Sequence, residues 1–243
     1  MIYFVGCSYT WGAGLEYEYY HKYEGWNHIK INNNIPPNVW LESSNYKASE
    51  YRRKHRFANL VSQQLNVSYE VINQVNGGDH ENIRWLLNNQ PLTNGCDAVV
   101  VQLTQWQRSS HEFRNNTIRD EEHIEQIIEQ QIKSCFHTAQ NKGVKVFAIS
   151  WQRDTAEILK NKFPDKFIPL YIDGKYYDSF THTQNNEEFN SSQFKNPYNM
   201  RLSDVIPGVQ DTHLSSEGHK IVADSIVHKL KDFVGKRTGL IPR

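Results

Sequence analysis

The sequence predicts an α/β fold built on a parallel sheet, and three observations carry that expectation. Short apolar runs at 2–5, 98–103 and 144–149 read as strands buried on both faces. Segments whose apolar residues recur at helical spacing stand between them. The resulting alternation of strand and helix implies right-handed crossovers, which set the strands parallel.

Ile2-Tyr3-Phe4-Val5 is the first strand, and Gly6 follows it. Gly12-Ala13-Gly14 punctuates a flexible loop beyond. From 16 to 54 the periodicity dissolves; Tyr17, Tyr19, Tyr20, Trp26 and Trp40 around Pro36-Pro37 give the composition of an aromatic loop insert, suited to packing or to covering a pocket. Phe57, Leu60, Val61 and Leu65 predict a helix, and 67–72 a second strand. Asn76-Gly77-Gly78-Asp79 signals a turn, and Ile83, Leu86 and Leu87 a short helix that halts near Pro91. After the strand at 98–103, Ile124, Ile127, Ile128, Ile132, Cys135, Phe136 and Ala139 predict a helix ended by Gly143, then the strand at 144–149. The stretch 151–207 shows no clear pattern and receives no chemistry. Ile221, Val222, Ile226, Val227, Leu230 and Phe233 predict an amphipathic closing helix, with 236–243 a flexible tail. The chain is expected to form a single domain over 1–235.

Composition narrows the function classes. Lys+Arg and Asp+Glu balance at 27 each, so no global field attracts phosphate backbones or anionic lipid, and neither nucleic acid nor membrane is expected as partner. Cys7, Cys96 and Cys135 form an odd set without zinc-ligand spacing, which suits reduced thiols in a cytoplasm. The first residues lack the basic and apolar regions of a secretory leader, and no apolar run reaches membrane-spanning length.

The chemistry concentrates at two places. Ser8, in Gly6-Cys7-Ser8-Tyr9-Thr10-Trp11-Gly12, follows the first strand directly, where open α/β sheets place their ligands. Asp211-Thr212-His213 precedes the closing helix. A serine hydroxyl needs a base, an imidazole titrates in the right range, and a carboxylate can orient it; the three side chains together point to acyl transfer.

These blocks resemble those of the SGNH, or GDSL-like, hydrolases. Gly6–Gly12 is similar to the family's first block, with Cys7 where the family usually has aspartate. Asp211-Thr212-His213-Leu214-Ser215-Ser216-Glu217-Gly218-His219 is similar to the last, with aspartate two positions before histidine instead of three. Asn73–Asp79 is similar to the second block, and Gln102-Leu103-Thr104-Gln105 stands where the third has Gly-x-Asn-Asp. The resemblance implies a flavodoxin-like, three-layer α/β/α sandwich. It implies Ser8 as nucleophile, His213 as base, Asp211 orienting it, and an oxyanion hole of Ser8, Gly78 and Thr104. Gln105 is an alternative donor to Thr104, and Trp106 and Gln105 are candidates for substrate contact. The implied activity is that of a serine esterase or deacylase, without cofactor or metal, acting on a small acyl ester, a glycan-borne ester included.

Other readings compete. Acyl transfer to a sugar hydroxyl uses the same residues, and a catalytically quiet binding module would keep the fold but distort the triad. Cys7 is a rival nucleophile unless it points into the core. Asp211, His213 and His219 with His80 would be needed for a metal, and Gly12-Ala13-Gly14 lacks the third glycine of a dinucleotide loop. His219 is expected to be structural.

Overall fold

The computed structural model describes the chain apart from residues 26–45, 74–79, 90–91, 93–95, 105, 109, 180–197, 207–212 and 235–243. Four strands, β1 (Ile2–Gly6), β2 (Tyr69–Asn73), β3 (Ala98–Leu103) and β4 (Lys145–Ser150), form one sheet in the order β2-β1-β3-β4. All neighbours are parallel, with Ile2 paired to both Tyr69 and Ala98, and Ala98 to Lys145. Among the described residues, the sheet continues beyond β4 only as one parallel bridge between Ala148 and Phe167. Pro164 and Pro169 flank that bridge, and a proline cannot donate to a ladder, so the would-be fifth strand stays short.

Alternating side chains of each strand feed two cores. Tyr3, Val5, Val99, Val101 and Leu103 face one side, where α5 (His80–Asn89), α7 (Glu121–Gln140) and α8 (Arg153–Lys162) cover them through Ile83, Leu87, Ile132 and Leu159. Ile2, Phe4 and Val100 face the other, against α4 (Phe57–Leu65) and α10 (Ser216–Val234) through Phe57, Val61, Val222 and Ile226. The layering is thus helix, sheet, helix, and each fully buried aliphatic side chain contributes about 1.5–3 kcal/mol. Asp120 starts α7 by accepting the His123 N–H at 2.8 Å. Among the described residues no helix is long and apolar enough to cross a membrane.

Two expectations need correction. Within the segment read as a loop insert, α2 (Leu15–Tyr23) and α3 (Tyr46–His55) are helices that pack on each other through Leu15, Tyr19, Ala48 and Tyr51. Their inward faces also carry Glu16 and Arg52, a buried ion pair, so charge interrupts the apolar period that would have announced them. The patternless stretch 151–207 holds α8, a hairpin of β5 (Leu170–Ile172) and β6 (Lys175–Tyr177), and the single turn α9 (Leu202–Val205). The turn at 76–79 and the tail at 236–243 lie outside the described residues.

Candidate active site

The strand order reverses beside β1: the chain runs from β1 to β2 on one side, then crosses back to β3 on the other. Carboxyl ends of strands at such a reversal bracket a crevice. Ser8 stands there, the first residue of a single helical turn, α1 (Ser8–Trp11), that begins as soon as β1 ends.

Cys7 and Gln102 fix this start. Cys7 is buried, and its Sγ lies 3.0 Å from Gln102 Oε1, which also accepts from Thr10 Oγ1 at 3.1 Å and the Cys7 N–H at 3.4 Å. The thiol therefore faces the core, and the next side chain, Ser8, is half-exposed. Gly6 is required by close approach, since a Cβ there would stand 2.2 Å from Thr10 Oγ1 and 2.9 Å from Gln102 Cβ.

His213 reaches Ser8 from 205 positions away in the chain, with Nε2 3.0 Å from Ser8 Oγ. Its backbone is held by α9, whose Leu202 N–H donates to His213 O at 2.9 Å, and by the Ser215 N–H, which donates to Met200 O at 2.8 Å. Behind it, Ser215 Oγ caps α10 through the Gly218 N–H at 3.1 Å. Glu18 of α2 adds a second cap, accepting the Ser216 N–H at 2.7 Å and its hydroxyl at 2.5 Å. The imidazole ring lies 4.9 Å from the Tyr9 ring, which lies 3.9 Å from that of Trp151 at the end of β4. An aromatic wall thus lines the His213 imidazole.

Gly14 joins the two halves of the site. Its φ is +94°, and a Cβ would meet Leu202 Cδ1 at 2.3 Å and His213 Cβ at 3.2 Å. Gly14→Ala should therefore destabilise the fold by about 2–4 kcal/mol, combining left-handed strain with overpacking. Urea denaturation measures this, and a variant as stable as wild type would contradict it.

His219 is fully buried and structural, its Nδ1 accepting the Phe57 N–H at 3.2 Å. Burial first, then the neighbouring charges of His213, Arg56 and His55, pushes its pKa down to about 3 from 6.5. Between those values the unfolded chain takes up a proton that the fold refuses, so stability falls as pH drops from 6.5 towards 3. His219→Gln should remove up to about 1.4 kcal/mol per pH unit of that slope; denaturation at pH 7, 6, 5 and 4 gives the comparison, and parallel profiles would refute it.

The other expected site residues separate. Thr104 is buried just past β3, on the rim that bears Ser8. Trp106 is buried in the core under α5, α7 and α8, its indole N–H donating to Asp154 at 2.6 Å and its ring edge-on to Phe113 of the single turn α6 (His111–Arg114). Asp211, Gly78 and Gln105 lie outside the described residues. His80 bonds Gln131 on the α5–α7 side, away from the His213 segment, and no metal-holding group of three or more His, Cys, Asp or Glu occurs among the described residues. Tyr9, Trp151, Glu18 and Leu202 around His213 escaped the sequence reading, which took Gly12-Ala13-Gly14 for a flexible loop where the structure buries all three residues. Compared with models of protein families, with curated proteins and with solved structures, the chain matches none.

Proposed function

We propose that the chain is a serine hydrolase of the SGNH type, an esterase or deacylase that cleaves a small acyl ester. The observation that carries the reading is the 3.0 Å contact between His213 Nε2 and Ser8 Oγ, at the carboxyl rim of a parallel sheet whose order is β2-β1-β3-β4. That distance is hydrogen-bond reach for a general base. It favours this reading over a quiet binding module, for which a distorted pair is expected.

In the proposed reaction His213 Nε2 takes the Ser8 proton as Oγ attacks the acyl carbonyl. Asp211 holds the imidazole tautomer and offsets the charge that forms. The oxyanion is met by the Ser8 N–H, with Gly78 and Thr104 as further donors; one such donor is worth about 3–4 kcal/mol in the transition state. Collapse expels the alcohol, which takes the proton from His213. Water then attacks the acyl-serine through the same base, releasing the acid and restoring Ser8. Apart from the water consumed, the proposed cycle uses protein groups alone. A glycan-borne ester is one substrate in scope.

A fluorophosphonate probe tests the reading, with the adduct mapped by mass spectrometry. Phosphonylation confined to Ser8 supports it, and an unlabelled chain, or label on Cys7, overturns it. Incubating an acyl ester with and without a sugar acceptor then distinguishes hydrolysis from transfer by the product formed.

A further inference from the structure

Under α1 lies a group of buried polar side chains that the proposed chemistry does not use. Arg52 and Arg56 are 5% and 9% exposed, and Glu16 and His219 are 3% and 0% exposed. Both guanidiniums lie against the Trp11 ring, at 4.4 and 5.8 Å from its centre. Arg52 pairs with Glu16 through Nη1, and Arg56 donates to the Tyr69 hydroxyl at 3.2 Å. His219 bonds the amide of Phe57, the residue next to Arg56.

What remains unsatisfied is almost all of one kind. Trp11 Nε1, Arg52 Nε, Arg56 Nε and His219 Nε2 are buried without a hydrogen-bond partner among the described residues, as is the single acceptor Glu16 Oε2. His219 Nδ1 accepts a hydrogen bond, so a neutral ring carries its proton on Nε2, which makes that atom a donor. Four orphan donors therefore stand against one orphan acceptor. Charge is unbalanced in the same sense, two guanidiniums facing one carboxylate, and burial pushes the Glu16 carboxyl up against the pull of Arg52. Each buried unpaired polar group costs about 1–3 kcal/mol, more when charged. Water would answer the donors but leave the positive charge uncompensated.

We infer that this cluster binds one small monovalent anion of chloride size among the side chains of Trp11, Arg52, Arg56 and His219. One negative charge neutralises the pair of arginines and Glu16, and a spherical acceptor accommodates donors arriving from several directions. The interior position disfavours phosphate, which brings more charge and bulk. The anion would tie α1 and α3 together beneath the nucleophile.

Thermal unfolding of the full chain tests this, with chloride exchanged for gluconate at constant ionic strength. The expected result is a saturable rise of the midpoint, about 5–10 °C between chloride-free buffer and chloride at a hundredfold over its dissociation constant. Trp11→Phe, which keeps the ring and deletes one donor, should weaken the dependence, and Arg56→Gln should abolish it. If Arg56→Gln fails to fold, bromide-soaked wild-type crystals give the second readout, an anomalous peak within hydrogen-bond distance of these nitrogens. A midpoint indifferent to chloride, or bromide found only at the surface as an adventitious ion only, overturns the inference. So does a stronger response to phosphate than to chloride.

Discussion

Replacing Ser8 by alanine is expected to slow cleavage of an activated short-chain ester by about 10⁴-fold or more, while the unfolding midpoint stays within about 1–2 °C of wild type. The asymmetry follows from position. Ser8 is half-exposed on the first turn of α1, and the burial that fixes this turn belongs to its neighbours Cys7, Tyr9 and Thr10. Removing one hydroxyl therefore costs little packing and, on the proposed mechanism, the whole nucleophile. Fluorophosphonate labelling should vanish in the same variant. Retention of more than a tenth of the esterase rate would exclude Ser8 as the attacking group.

Exchanging His213 for alanine should lower the rate of Ser8 phosphonylation by about 10³–10⁴-fold, because an unassisted hydroxyl is a weak nucleophile near neutral pH. The double variant Ser8→Ala with His213→Ala should be scarcely slower than either single one, since groups acting as one unit are strongly non-additive. Stopped-flow esterase assays and the label stoichiometry provide the comparison. If the two losses multiply instead, the 3.0 Å contact is structural and the pair does not work as nucleophile and base. His213→Ala also removes the ring packed on Tyr9, so its stability should be measured beside its rate.

The sheet was legible because a parallel strand covered on both faces must be apolar throughout, and Ala98–Leu103 and Lys145–Ser150 nearly are. The closing helix was legible from its period instead, its buried Val222, Ile226 and Leu230 falling about one turn apart on one face. Where the inward face carries charge, the signal failed. In α3 the buried positions are Ala48, Tyr51 and Arg52, and no apolar stripe survives a buried guanidinium. Ser8 and His213 could be read from local motifs, each lying beside a turn and an element start. Their supports could not, because Gln102 beneath Cys7, Leu202 against Gly14 and Glu18 on Ser216 are chosen by tertiary contact and leave no local pattern.

The span between Ser8 and His213 has a kinetic meaning. Closing a contact across 205 positions demands that the sheet and both helical layers already be in place. During synthesis Ser8 emerges well before His213, so under the proposed mechanism a polypeptide truncated between them would carry an unactivated alcohol. If the proposal holds, reactivity towards the probe would double as a clock for maturation, starting only when the segment bearing His213 has docked.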